Sequence, residues 1–543
     1  MIGPEHWTGF SVPAIRHEAH FGDRIVRCFA NRPSSFHAMF AEALASHADR
    51  PAVLFNGASL SYRQLDGEVG RIAAGLASRG VEHGDRVVMF IGNRPEFVSV
   101  LLAIQRLGAI AVPVGIREQR PGLAYMQRQS GAKAIVFDAA LATVLPDAAE
   151  SPGMLLRICV DEMNDAGVLS LSALGRGFMP ASDAAPVREE DTAVLLYTSG
   201  TTGNPKGAML SHLNIVHSAM HYQACFGLDH HDCAGLAVPA SHVTGLIAVI
   251  AAMLRVGGAM LIFSAFQAEE FVAVAARERM TYTLMVPAMY NLCLLRGRME
   301  EHDLSAWRIG GFGGAPMPPS TVDAMARQLP GLALVNAYGA TETTSPTTAV
   351  PPGTSVAGND SVGVALPCAS VIVVDDDGIE VPPGVSGELW IGGPMVVRGY
   401  WDNPEATATG FTAGYWHSGD IGSIDAQGFV RIFDRKKDML NRGGYKIYSA
   451  EVENVLMALP GVLEAAVVGR PCPVLGERVH AFLYAPGGGL DAAAVRQHCA
   501  TRLADYKVPE EVTLMDAPLP RNANGKLMKR TLREQASAGG AGK

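Results

Sequence analysis

The sequence predicts an α/β protein. Parallel sheets covered by helices fill most of the chain, a β-meander follows, and a small α+β unit ends it. Two observations carry this. Short apolar runs alternate with helically periodic stretches through the first 360 residues, the rhythm of βαβ units. Beyond about residue 360, short strands separated by tight-turn residues replace that rhythm. Taken in order, Arg86–Ile91 (RVVMFI) reads as a buried strand and Glu96–Leu107 as the helix after it. Ala132–Phe137 is a second strand. Ala193–Tyr197 is a third, running into a loop of glycine and hydroxyl residues and then a helix from about Ser211. Met179–Asp191, rich in Pro, Ala and acids, reads as the connector between two such units. Gly245–Leu254 is the longest apolar run; a bilayer span needs ~20 residues, so it reads as a buried helix. Val371–Val374, the Asp375–Gly378 turn, Gly387–Ile391 and Val430–Phe433 form the meander. Glu451–Leu459 (helix), Ala465–Val468 and Arg478–Tyr484 (strands) and Ala492–Leu503 (helix) form the last unit, with Gly487–Gly489 as a loop. The tail from Ala536 reads as frayed.

Composition narrows the function. The chain has 543 residues, 48% hydrophobic and 18% charged, which excludes a disordered protein. With 44 basic against 53 acidic residues the net charge is −9, a poor match to a nucleic-acid backbone. The eight cysteines form no CxxC pair and suggest neither a zinc ribbon nor a disulfide framework. Buried thiols in a reducing compartment, no signal peptide and no spanning segment together predict a cytoplasmic protein.

The strongest chemical signal is Tyr197-Thr198-Ser199-Gly200-Thr201-Thr202-Gly203-Asn204-Pro205-Lys206-Gly207. Glycines let backbone N–H groups approach an anion, hydroxyls donate to it, and Lys206 adds a point charge: a phosphate-gripping loop. It is not the Walker pattern, because no Gly-Lys-Ser/Thr follows the glycines. His217 and His221, at i and i+4, with Cys225, His230, His231, Asp232 and Cys233 behind them, raise the question of a metal cluster. Histidines satisfied in the core or at the surface are the simpler reading.

The loop resembles the signature of the adenylate-forming superfamily, which holds acyl- and aryl-CoA ligases, peptide-synthetase adenylation domains and beetle luciferases. Further motifs stand in that family's order from about Ser35 to Lys529. The resemblance implies an N-terminal domain (1–436) of two βαβ-type subdomains plus a distorted β-barrel, and a mobile C-terminal lid (437–543). It implies an ATP site built from Thr198, Ser199, Gly200, Thr201, Thr202, Gly203 and Lys206. Gly313-Gly314-Ala315-Pro316 resembles the adenine-pocket turn. In Asn336-Ala337-Tyr338-Gly339-Ala340-Thr341-Glu342, the resemblance makes Tyr338 the adenine stack beside Gly339, Thr341 a phosphate partner and Glu342 a Mg²⁺ ligand. Asp420 and Arg435 resemble the ribose contacts, Lys437 the hinge, and Lys526 the lysine that stabilises charge in adenylate formation. Gly443-Gly444-Tyr445-Lys446 matches the loop facing CoA in the ligases, although Lys446 and Arg442 are equally readable as surface charges. His242 falls where ligases carry a histidine near the carboxylate and thiol. The aromatic that usually precedes it is Ser241 here, so the gate of the acyl channel differs.

The function implied is an AMP-forming carboxylic acid–CoA ligase acting on a fatty or aryl acid, since no acidic residue stands ready to anchor an amino group. ATP, Mg²⁺, coenzyme A and the acid are the implied partners; a homodimer is left open. An enzyme that loads a carrier-protein phosphopantetheine is the alternative. A non-catalytic nucleotide-binding regulator is opposed by the presence of Lys526, Asp420, Glu342 and the phosphate loop.

Overall fold

The structure is a computed structural model and describes residues 4–7, 10–165, 167–177, 183–198, 204–352, 354, 360–521 and 527–538. The chain folds into two compact units. The larger holds Met1–Val371, Trp390–His417 and Ala426–Val430; the smaller holds Ile372–Leu389, Ser418–Asp425 and Arg431–Lys543.

The large unit contains two mostly parallel sheets. In the first, the strand order is Lys206–Ser211, Thr192–Thr198, Ile110–Pro113, Arg86–Phe90, Ala134–Phe137, Leu156–Cys159 and Val168–Ser170. Val88 pairs with both Val112 and Ile135, so the centre of the sheet is parallel. Alternate residues of the Arg86–Phe90 strand serve two cores. Val87 and Met89 face one, Val88 and Phe90 the other, which is why the run is apolar throughout. Pro95–Arg106, with Pro at its first turn, is buried from Phe97 onward.

The second sheet has nine strands: Val364–Ala365, Thr348–Ala349, Ala333–Tyr338, Ile309–Phe312, Tyr282–Met285, Cys233–Leu236, Ala259–Ile262, Pro51–Phe55 and Ala58–Ser61. Its six central strands are parallel and its edges antiparallel.

Three expectations need correction. Lys206 opens a strand, not a loop leading into a helix: Lys206–Ser211 pairs antiparallel with Thr192–Thr198, from Thr198↔Lys206 to Leu196↔Ala208 and beyond. Ala208 and Leu210 alternate into the core, a period-2 pattern muted by small side chains. The helix His212–Phe226 follows, and Ser211 caps it through a box with Asn214. Second, 179–191 does not separate the two sheets. The strands flanking it belong to the same first sheet, and the change of sheet comes after His212–Phe226. Third, the C-terminal helix Lys529–Ala538 takes in Ala536, which is buried against Leu532 and Phe482.

Gly245–Leu254 is helical and buried, as its apolar run requires, but Thr244–Ala251 winds as a π-helix before the α-turns of Ala252–Val256. Among the described residues no helix is long and apolar enough to cross a membrane.

The small unit is built on Glu464–Cys472 and Gly476–Tyr484, paired antiparallel, with Glu511–Met515 added parallel to the latter. Val467, Ala481 and Leu483 pack on one face with Leu440, Ile447 and Val452; Ala466, Val468 and Phe482 pack on the other with Leu519 and Leu532. Period-2 alternation thus buries both faces.

Candidate active site

In the large unit, the candidate residues follow the carboxyl ends of parallel strands of the second sheet, where open α/β sheets place ligands. His242 follows Cys233–Leu236, Gly313–Pro316 follow Ile309–Phe312, and Gly339–Glu342 follow Ala333–Tyr338. A Cβ on Gly313 would lie 2.3 Å from the Ala337 carbonyl oxygen, so only glycine lets the two chain segments approach this closely. Gly314 has φ +77°, a left-handed conformation that also favours glycine. Ala315 and Pro316 are exposed, and Tyr338, at the end of the neighbouring strand, is half-buried.

Glu342 is the central residue of the short turn Thr341–Thr343 and is only 8% exposed. Its Oε1 accepts from Tyr400 Oη at 3.0 Å and from Thr198 Oγ1 at 3.4 Å, and its backbone carbonyl accepts from Val397 N at 2.9 Å. Lys206 Nζ sits 5.1 Å from the Tyr400 ring centroid, a cation–π approach. Burial, reinforced by the neighbouring Glu342 carboxylate, pushes the Tyr400 phenol well above its ordinary pKa, so it remains a donor to that carboxylate. Thr198, Lys206, Glu342 and Tyr400 therefore form one constellation at the loop end of the Thr192–Ser211 hairpin. Ser199, Gly200, Thr201, Thr202 and Gly203, between its strands, lie outside the described residues, as does Lys526.

Tyr400 was not legible in the sequence. It is held because Ala208 bridges to it, Met209 N donates to Gly399 O at 3.1 Å, and Trp401 N donates to Gly207 O at 2.8 Å. A glycine followed by two aromatics, Gly399-Tyr400-Trp401, was the only available signal.

His242 is exposed at the entrance to the π-helix. Its Nδ1 accepts from Thr244 N at 3.3 Å, which places the proton of the neutral ring on Nε2. Its backbone N donates to Pro239 O at 3.0 Å. Gly245 is required here, since a Cβ on it would stand 2.3 Å from that same Pro239 oxygen.

In the small unit, Asp420 is 4% exposed and its Oδ1 lies 2.6 Å from Arg435 Nε, so the two predicted ribose residues are one ion pair. Gly419 has φ +67°, and its carbonyl accepts from Lys436 N at 2.7 Å. Lys437 O accepts from Arg533 Nη2 at 2.9 Å, and Arg533 also pairs with Asp438. Gly443 and Gly444, at φ +60° and +89°, make the two-residue turn between Leu440–Arg442 and Tyr445–Ile447, a type I′ geometry that requires both to be left-handed. Tyr445 is 59% exposed and stacks on Tyr506 at 4.6 Å. Lys446 Nζ lies 3.7 Å from Asp376 and Arg442 lies 2.7 Å from Glu510.

Two of the grouped histidines are taken up by hydrogen bonds in the core. His217 is fully buried; its Nδ1 bonds Leu213 O at 2.9 Å, its Nε2 accepts from Phe29 N at 3.2 Å, and burial pushes its pKa down to about 3. His221 Nε2 accepts from Cys368 N at 3.3 Å. Among the described residues, the one trio with ligand atoms close together is Glu18, His20 and Cys28. Arg32 binds both Glu18 oxygens at 2.9 and 2.7 Å, and burial holds the Cys28 thiol at a pKa of about 12, so the trio is a poor cation site. Glu342 with Thr198 and Tyr400 offers oxygen donors only, the set a hard cation such as Mg²⁺ takes.

Residues 40–401 match the AMP-binding enzyme family and residues 451–526 match the AMP-binding enzyme C-terminal domain. The chain is 36% identical to a feruloyl-CoA synthase of Amycolatopsis sp over 487 residues, covering 89% of this chain and 95% of that protein. It is 32% identical to the long-chain-fatty-acid–CoA ligase FadD13 of Mycobacterium tuberculosis over 483 residues, 88% of this chain and 93% of that one. The crystal structure of the anthranilate CoA ligase AuaEII in complex with anthranoyl-AMP superposes with a TM-score of 0.86 at 25% identity, over 94% of this chain and 99% of that one.

Proposed function

This chain belongs to the AMP-binding enzyme family, as an adenylate-forming enzyme of the acyl-CoA synthetase type, and from that premise we propose that it joins a fatty or aryl carboxylic acid to coenzyme A. The observation that carries the reading is the buried Glu342 carboxylate, brought by Thr198 and Tyr400 to the mouth of the phosphate hairpin. ATP lies along that hairpin. Thr198 and the loop hydroxyls donate to phosphate oxygens, Lys206 neutralises part of their charge, and the Gly313–Pro316 turn and Tyr338 receive the adenine. Glu342 would hold Mg²⁺ with its oxygen neighbours; when bound, that ion neutralises phosphate charge. Asp420 accepts from the ribose hydroxyls while Arg435 holds its carboxylate in place.

In the first half-reaction the acid's carboxylate oxygen attacks the α-phosphorus. The P–O bond to pyrophosphate breaks, leaving an acyl-adenylate and PPi. Lys526 stabilises the charge that gathers on the phosphorus oxygens. In the second, the CoA sulfur attacks the acyl carbonyl, AMP leaves with the bonding pair, and the thiol proton passes to solvent or AMP. His242, as an Nε2–H donor, orients the acyl oxygen and does not act as the base. Lys437 is the hinge about which a lid from 437 onward presents Lys526 to the first step and Gly443-Gly444-Tyr445-Lys446 to CoA in the second. The eight buried, unpaired thiols suit a reducing cytoplasm.

The test is a panel of aliphatic and aryl acids incubated with the enzyme, ATP and Mg²⁺, with and without CoA. AMP formation and a CoA thioester with at least one acid are expected. No AMP with any acid refutes the reading. AMP formed with an acid, but a thioester only on a holo carrier protein, moves the function to the carrier-loading alternative.

A further inference from the structure

One carboxamide ties the two sheets of the large unit together at their carboxyl ends. Asn93 follows the strand Arg86–Phe90 of the first sheet. Its neighbours are anchored to that sheet: Gly92 N donates to Asp138 Oδ2 at 2.7 Å, and Arg94 Nη1 reaches Asp138 at 3.1 Å and Asp161 at 3.0 Å. The Asn93 side chain points the other way. Its Nδ2 donates to Val238 O at 2.9 Å, Phe263 O at 3.1 Å and, more weakly, Leu236 O at 3.4 Å. Its Oδ1 accepts from Ala240 N at 2.8 Å. Those partners are the ends of two neighbouring parallel strands of the second sheet and the segment leading to His242. The amide orientation is unambiguous, because carbonyls demand the NH₂ and an N–H demands the oxygen.

Beyond the end of the strand, where Phe263 N donates to Leu236 O at 3.1 Å, the segment so gripped makes few other backbone hydrogen bonds among the described residues. It carries Pro239, which has no N–H to give, and it turns sharply through the His242 N to Pro239 O bond before entering the π-helix. Hydrophobic packing is non-directional and cannot by itself fix such a turn. The geometry points to Asn93 as a positioning residue for the acid substrate, setting the 236–242 segment, and through it His242, against the first sheet. This rests on the acid–CoA ligase reading, in which that segment borders the acid site. Asn93 itself touches no substrate in this assignment.

The test uses Asn93→Ala and the isosteric Asn93→Asp, which keeps the acceptor for Ala240 N but offers nothing to the carbonyls. Formation of the CoA thioester is measured with acid varied at saturating ATP and CoA, and with ATP varied at saturating acid and CoA. Expected is a fall of about 10- to 100-fold in kcat/KM for the acid, with the KM for ATP within about 2-fold of wild type. In a His242→Ala background, Asn93→Ala is expected to add little, since the two residues act in series. Equal losses for ATP and acid, full additivity with His242→Ala, or unchanged acid constants overturn the assignment. If the alanine variant loses its cooperative melt, the same criteria apply to Asn93→Asp. A wild-type enzyme that activates no acid defeats the ligase reading itself; an active wild type with an unmoved Asn93→Ala variant defeats only the role given to Asn93.

Discussion

Gly313→Ala is the substitution whose consequence the structure fixes most tightly. The new Cβ would stand 2.3 Å from Ala337 O, and approaches below 3.0 Å are essentially never tolerated. The strand ends after Ile309–Phe312 and within Ala333–Tyr338 must therefore part by about 0.7 Å or more, and the obstacle is backbone, which cannot swing aside as a side chain would. Overpacking of this kind costs about 1–3 kcal/mol, which a unit of this size survives. The kinetic cost is larger, because Ala337 immediately precedes Tyr338, and misplacing a positioning group by about 1 Å costs up to about 100-fold. We expect Gly313→Ala to lower kcat/KM for ATP in acid-dependent pyrophosphate exchange by about 10- to 100-fold while the protein still melts cooperatively. Gly331→Ala is the control: nothing lies within 4 Å of its Cβ position, and its constants should not move. Wild-type exchange kinetics in Gly313→Ala would refute the claim that this close approach shapes the nucleotide site.

Three further outcomes are expected. Glu342→Gln keeps the acceptor for Tyr400 but removes the charge; adenylate formation should fall by about 100-fold or more and need higher Mg²⁺, and a variant with the wild-type Mg²⁺ dependence contradicts the ligand role. Lys437→Pro should leave adenylate formation standing and stall the thioester step by fixing φ, whereas equal loss in both half-reactions argues against a hinge there. Acid should weaken the fold through three buried histidines: burial pushes His37 and His212 down to about 4 and His217 to about 3. Their folded pKa values lie below the unfolded value of about 6.5, so the unfolded chain binds more protons, and stability falls as pH drops from about 6.5 toward 3–4. At pH 5.5 each costs about 1.4 kcal/mol, together about 4 kcal/mol, read as a lower urea midpoint than at pH 7.5; identical midpoints would show that these rings are not held neutral.

What the sequence made legible follows a physical rule. Where a backbone conformation or a close approach admits one residue type, a local motif records it. Gly314, Gly443 and Gly444 were readable because their left-handed angles favour glycine, and Gly313 because a Cβ there would meet the Ala337 carbonyl. Buried strands such as Arg86–Phe90 were readable because both faces are apolar. The Lys206–Ser211 strand was not, because Gly207, Ala208 and Ser211 mute its alternation and the glycine-rich loop before it suggested a helix entry. The change of sheet was misplaced because strand order is set by pairings between segments far apart in the chain: Pro51–Phe55 joins Ala259–Ile262 across some two hundred residues, and no local spacing records that.

Tyr400 and Asn93 show the same limit at the site. Tyr400 reaches Glu342 over 58 residues, and Asn93 reaches Leu236 and Phe263 over 143 and 170. A tyrosine or an asparagine is an ordinary residue until the fold supplies its partner, whereas a glycine at positive φ is unusual wherever it stands. The readable residues are therefore mainly those proposed to touch nucleotide, and the unreadable ones are those that hold the former in place. Acid preference should accordingly be moved more by substitutions at such bracing positions than the motifs alone suggest. The motifs describe the proposed ATP site, while the braces set where the 236–242 segment and Glu342 sit.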